Sequence, residues 1–157
     1  MTESAWHKEI KGWGVATEIS LGNRRADCQL RCGKRAEVQA RPLPPAEVAG
    51  REAHADLWIL DCRDAHRSQR LMVWNDSQFG TLLRWERPWQ GFAVAKRPVF
   101  LNLKLDLRTG HGTFVQVNRW VFDSRQATGT GQIHTARTLR FWMRYGLPPQ
   151  EHLAVAL

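Results

Sequence analysis

The chain has 157 residues, 43% of them hydrophobic, with a net charge of +8 and a pI near 10.3. That length suits one domain able to bury a core, and the composition excludes a disordered chain. No apolar run approaches the ~18 residues of a membrane-spanning helix, which predicts no membrane association.

Arg outnumbers Lys by 18 to 5. Guanidinium favours bidentate phosphate contacts and stacking on bases. A polyanionic partner is therefore expected, nucleic acid first. A biased genome composition would explain Arg over Lys, but not the excess of base over acid. The start of the chain, Met1 to Ser4, lacks the basic and apolar blocks of a secretory leader, and a cytoplasmic location is expected. Three cysteines, Cys28, Cys32 and Cys62, make a disulfide framework unexpected. Cys28 and Cys32 are expected as small core residues. With His54 and His66 they match no zinc spacing.

Taken in chain order, Ser4 caps a predicted helix through residue 11, which places His7 and Lys11 one turn apart on a shared face. Residues 15–21 alternate as a strand, and Gly22 and Asn23 form a two-residue hairpin turn. That turn sets Glu18 opposite Asp27. A loop of Arg31, Cys32 and Gly33 then sets Asp27 opposite Glu37, and Arg25 opposite Gln39. Pro42, Pro44 and Pro45 break the chain and start a helix over 45–55, with Glu47 and Arg51 as an i,i+4 pair. Residues 56–61 predict a buried strand, parallel to a neighbour after the helical crossover. Further strands are predicted at 71–74, 82–87, 98–107 and 113–122. Residues 125–132, with Gly129 and Gly131, read as a loop. Thr135 caps a last helix to residue 145, ended by Gly146, Pro148 and Pro149, with a frayed tail after it. No repeat or linker divides the chain, so residues 63–157 are expected to pack as an extension on residues 1–62, in a single domain.

Directly opposed side chains share a face, and opposed like charges are destabilising. A row of Glu18, Asp27 and Glu37 therefore asks for a reason, and a divalent cation is the simplest. Carboxylate oxygens suit Mg²⁺ or Mn²⁺. Strand parity adds Gln39 to the same face, where its amide can hydrogen-bond a water or a phosphate. Taken singly, each residue has a plainer reading. Glu18 fits a solvated strand position, Asp27 fits a pair with Arg25 or Arg41, and E-x-Q is a weak pattern.

The chain holds eight tryptophans, five of them after residue 70 and interleaved with arginines. Aromatic rings beside Arg can stack bases and hold phosphates. Trp89, between Pro88 and Gln90, is the candidate exposed platform. Arg137, Arg140 and Arg144 form a basic stripe on the last helix. The alternatives are a core Trp and a solvated helix face.

The order acid, acid, then Glu37 and Gln39 on the next strand resembles the PD-(D/E)XK nuclease core, and more closely the CoiA-like (competence-associated) nuclease family. The likeness runs through Trp6, His7 and Lys11, Glu18, Arg25 to Asp27, Glu37 to Gln39, Arg51 and Glu52, and Trp58 to Asp61. It covers about the first 60 residues and is looser around Arg97 to Leu101 and the C-terminal helix. It implies an α/β (α+β) fold with an α-β-β-β-α-β mixed-sheet core, a β-rich extension and a terminal helix. It implies metal-dependent hydrolysis of DNA, with Glu18, Asp27 and Glu37 as metal and catalytic positions and Gln39 in the place of the usual Lys. By the same likeness His7 and Lys11 face the site and, with Arg25, contact phosphate. The chain departs from the family at Ala40 and Arg41, where relatives tend to carry a polar His/Ser pair, and in its short C-terminal region. The alternative function is a catalytically weak or inactive nucleic-acid-binding or partner-binding module of this fold, serving DNA uptake, a phage or a defence system. A homodimer or a protein partner stays open.

Overall fold

The computed structural model describes residues 2–146. The first segment is helix α1 (Ala5–Lys11), capped by the Ser4 side chain, which accepts from the His7 amide at 3.1 Å. Strands β1 (Ala16–Leu21), β2 (Arg24–Gln29) and β3 (Arg35–Gln39) follow as antiparallel neighbours. Helix α2 (Pro45–Arg51) then carries the chain over to β4 (Leu57–Asp61), which lies parallel to β3. A short helix α3 (Arg63–Arg67), strands β5 (Leu71–Asp76) and β6 (Gly80–Glu86) and a 3-10 turn (Gln90–Val94) lead to β7 (Val99–Leu105). Strands β8 (Gly112–Phe122) and β9 (Gln126–Thr135) and helix α4 (Ala136–Tyr145) complete the described chain.

One nine-stranded sheet runs β1-β2-β3-β4-β7-β8-β9-β6-β5. Only β3, β4 and β7 are parallel neighbours. The result is a mixed α+β fold in which the first half supplies α-β-β-β-α-β in the expected order. Period-2 alternation sorts the core. Leu57 and Ile59 face α1 and α4, together with Trp6, Ile10, Phe100 and Trp142. Trp58 and Leu60 face the other side, with Val48 of α2, Ala65 of α3 and Phe92. Both faces of the central strands are therefore covered, which is why residues 57–60 read as a continuous apolar run.

Two buried polar groups fix the helices that flank β3. Asn102 of β7 accepts from the Trp6 indole at 2.8 Å and donates to the carbonyls of Lys104 and Thr113. Glu52 caps α2 and accepts from the Trp58 indole and from the backbone amides of Lys96 and Arg97. Trp6 and Glu52 thereby set the positions of His7 and Arg51, their chain neighbours.

Two expectations need correction. The segment at 125–132 is not a loop beyond Arg125. From Gln126 on it is the first part of β9, paired on both sides. Its glycines had suggested a turn, but they serve close backbone approach. A Cβ on Gly129 would collide with the Arg119 carbonyl oxygen beside the bulge between Val117 and Arg119. Cys28 is buried as expected, but Cys32 sits exposed in the β2–β3 loop, where Gly33 takes φ +91°. The short helix α3 was not anticipated. The expected frayed tail after Pro149 lies outside the described residues. No helix among the described residues is long and apolar enough to cross a membrane.

Candidate active site

The β1–β2 hairpin has the expected register, Thr17 opposite Cys28 and Ile19 opposite Ala26, which brackets Glu18 and Asp27. Pairing of β2 with β3 holds only at Cys28–Ala36 and Gln29–Arg35. The strands part just beyond, at Asp27 and Glu37, so Arg25 and Gln39 are not ladder partners. At the parting, Asp27 Oδ2 accepts the Val38 amide at 2.8 Å, in place of a backbone carbonyl. The opening exists because a side chain has taken a ladder bond.

Asp27 and Glu37 are hydrogen-bonding neighbours. Glu37 is 3% exposed. Burial, then repulsion from Asp27, pushes its carboxyl up to about 7, against the pull of Arg51. Burial also opposes charge on Asp27, but the His7 ring and the Val38 amide outweigh it and hold Asp27 below the usual range. The pair thus holds one proton near neutral pH, on Glu37. His7 Nε2 lies 3.5 Å from Asp27 Oδ2, and its Nδ1 lies 2.8 Å from Glu3. The Asp27 carboxylate raises the His7 pKa above its ordinary value.

Glu18 behaves differently from the expected third member of an acidic row. Its backbone is left-handed, with φ +52°, and its carboxylate is bound by Lys11 Nζ and by Arg25 Nη1 at 3.3 Å. The Lys11 hydrogen bond holds Glu18 ionised, with its pKa lowered. Lys11, largely buried, also binds Glu3 at 2.6 Å. Burial opposes its charge, but the two carboxylates raise its pKa. The repulsion expected from three opposed carboxylates is therefore relieved in two ways: a proton on Glu37 and a cation on Glu18.

Arg51 joins the site from α2. Its Nη1 lies 3.2 Å from Glu37 Oε2 and 3.5 Å from Gln39 Oε1, and its Nη2 donates to Glu47 at 2.6 Å. Sequence reading paired Arg51 only with Glu47. The parallel pairing of β3 with β4, set by α2, was the signal that α2 packs over Glu37 and Gln39. A cleft of about 350 Å³ opens on this region, walled by His7, Lys11, Glu18, Gln39 and Arg41.

The residues fit a divalent cation in part. Asp27 and Glu37 give two adjacent hard-oxygen donors, met by His7 and by Arg51 respectively, and the Gln39 amide oxygen faces Arg51 at 3.5 Å. Mg²⁺ commonly binds through one or two carboxylates plus substrate phosphate and water. Glu18 stands as an ion-paired neighbour. Among the described residues, no three His, Cys, Asp or Glu side chains converge closely enough to make a complete cage.

The expected nucleic-acid contacts separate. Trp89 is half-buried and packs on Trp85 and Phe92, with ring centroids 5.8 and 6.1 Å apart, so it is not a free platform. Arg140 lies over the Trp13 ring at 5.7 Å, and Arg144 donates to the Gly12 carbonyl at 3.1 Å. Both tie α4 to the end of α1. Arg137 is exposed. No family model, curated protein or solved structure matches the chain.

Proposed function

We propose that the chain is a metal-dependent nuclease that hydrolyses DNA phosphodiester bonds, built on a PD-(D/E)XK-type core of α1, β1–β3, α2 and β4. The observation that carries this reading is the Asp27–Glu37 pair. It lies where β2 and β3 part, next to a cleft walled by His7, Lys11, Glu18 and Gln39, and its two carboxylates are held together with a proton on one of them. Such a pair is costly to a fold even with one proton, and a divalent cation would take that proton's place.

Asp27 and Glu37 would hold Mg²⁺ or Mn²⁺, which supplies a Lewis acid and a water of lowered pKa when bound. Asp27 stays ionised because His7 and the Val38 amide bind it. Glu37 would hold the ion only as the carboxylate, without its proton. Gln39, held at its oxygen by Arg51, offers its amide hydrogens to the water or to a phosphate oxygen. His7, its pKa raised by the Asp27 carboxylate, stands beside that acid, where it can contact a phosphate or, when protonated, donate a proton to a leaving oxygen. Lys11 fixes Glu18 and Glu3 in the cleft wall, and exposed Arg25, 3.3 Å from Glu18, sets a guanidinium at its edge. The net +8 favours a polyanion at the mouth.

A second reading has one observation in its favour. Lys11 and Gln39 are both engaged, by Glu18 and Arg51, as in a site that binds nucleic acid without turnover. Incubation of plasmid and oligonucleotide DNA with and without Mn²⁺ separates the two. Cleavage that needs Mn²⁺ and is abolished in Asp27→Asn and Glu37→Gln supports the enzyme. Metal-independent binding without cleavage supports the module.

A further inference from the structure

We infer that the cavity between α3 and the β7–β8 connection is a nucleotide subsite. It takes the phosphate and base of a DNA strand about four nucleotides from the bond at Asp27 and Glu37. This rests on the proposed function for its substrate.

The cavity is about 710 Å³, within the ~300–1,000 Å³ of sites that enclose small ligands. Arg63, Arg67 and Lys104 bring three cations to its walls. One lining carboxylate, Asp106, accepts from the amides of Arg108 and Thr109 at 2.8 and 3.3 Å and so serves its own turn. Arg63 is held flat by Asp61, at 2.8 and 2.9 Å, and lies 5.8 Å from the Trp6 ring. Arg67 pairs with Asp64 in an exposed contact of the kind that contributes little, so its guanidinium is available to a phosphate. Lys104 is exposed and has no ion-pair partner among the described residues. Half-buried Leu105, backed by the buried Leu103, gives the cavity an apolar wall for a base. His66 Nδ1 lies 3.2 Å from the Leu71 carbonyl, which can only accept, so Nδ1 carries the proton and Nε2 is the acceptor of the neutral ring. Cations beside an apolar surface and imidazoles match a nucleotide better than a bare anion.

The sheet places this cavity at the same end as the Asp27–Glu37 pair. Gln39 pairs with Leu60 and Asp61 with Asn102 in the parallel ladders, so Arg63 and Lys104 emerge at the same end of the sheet as Gln39. From the parting of β2 and β3 to the β7–β8 connection is three strand spacings, about 14 Å. At ~3.4 Å of axial rise per nucleotide, that is about four nucleotides. Arg63, in the cavity wall, lies over the buried Trp6 ring, and Trp6 is the chain neighbour of His7.

The test uses the full chain without divalent metal, following the His66 and His111 imidazole resonances by NMR. The probes are thymidine 5′-monophosphate, thymidine, inorganic phosphate and a dithymidine with an internal phosphate. Both phosphorylated thymidines should shift the two histidines saturably, inorganic phosphate more weakly, and thymidine hardly at all. Lys104→Glu and Arg67→Glu, both at exposed positions, should each weaken binding about tenfold. The Glu37→Gln chain should bind as the parent does. Unmoved histidines, binding indifferent to Lys104→Glu, or binding of the terminal phosphate alone would overturn the subsite. Failure of the nuclease reading looks different: nucleotide binding at these histidines with no Mn²⁺-dependent cleavage of DNA.

Discussion

Glu37→Gln should stabilise the chain at alkaline pH and leave it unchanged in acid. The Glu37 carboxyl ionises at an ordinary 4.5 when unfolded and at about 7 when folded. Between those values the folded state binds more protons than the unfolded state, so stability falls as pH rises through the window. The cost is absent below about 4.5 and complete above about 7. A shift of about 2.5 units at ~1.36 kcal/mol each gives about 3 kcal/mol. Glutamine keeps the shape without the charge. Arg51 loses one partner but keeps Glu47 at 2.6 Å, so about 3 kcal/mol is an upper figure. For a chain of this size that corresponds to roughly 6–12 °C in Tm. Melts without divalent metal at pH 4 and pH 8 measure it. A variant that melts lower than the parent at pH 8, or gains equally at both pH values, would show Glu37 to be an ordinary structural acid. Added Mn²⁺ should raise the Tm of the parent and not of the variant.

Arg51→Met removes the cation that restrains Glu37, so the acid limb of Mn²⁺-dependent cleavage should move to higher pH. Activity should fall about tenfold at pH 7 and largely recover at pH 9, and an unshifted profile would remove Arg51 from the site. Arg137→Ala should reduce the salt slope of DNA binding by about one unit at unchanged Tm, as for the loss of one phosphate contact. Arg140→Ala and Arg144→Ala should instead lower Tm, because they anchor α4 to Trp13 and Gly12; salt titrations beside melts separate the three. Gly129→Ala should cost roughly 3 kcal/mol or more by driving a methyl into the Arg119 carbonyl, read as a lowered denaturation midpoint.

The first half of the fold was legible because its information is local. Gly22 at φ +67° and Gly33 at φ +91° set two short loops, and those loops fixed the register that brings Glu18, Asp27 and Glu37 near one another. The continuous apolar run at 57–60 announced a strand covered on both faces. What failed was set by contacts distant in sequence. Gly129 and Gly131 read as turn residues because nothing local shows that β8 crowds β9. The partners of Glu18 were hidden for a related reason. Opposed positions on paired strands predict proximity, but a left-handed backbone at Glu18 turned its carboxylate to Lys11. Arg51 was legible as a helix surface pair and invisible as the counter-ion of Glu37, since that contact needs the α2 crossover in place. Trp89 illustrates the same limit, because loop position suggested exposure while the Trp85 and Phe92 rings cover it.

The charges of the site form a network in which each acid is stabilised differently, and this makes metal affinity depend on pH in a defined way. Glu18 is ionised by Lys11 and Asp27 by His7, so neither needs to lose a proton when a cation arrives near neutral pH. Glu37 does. A divalent ion must displace that proton, because ligands bind deprotonated. Apparent affinity for Mn²⁺ should therefore fall about tenfold for each pH unit below the Glu37 value of about 7, and level off above it. Glu37→Gln should bind weakly, with the slope abolished over the same range. Electron paramagnetic resonance of free Mn²⁺, titrated between pH 5.5 and 8.5 without DNA, reads this independently of turnover. A flat profile in the parent would mean that the proton on Glu37 and the cation do not compete. The acidic pair would then be a feature of the fold, held by Arg51 and His7, and the cleft would owe its affinity for DNA to its cations alone.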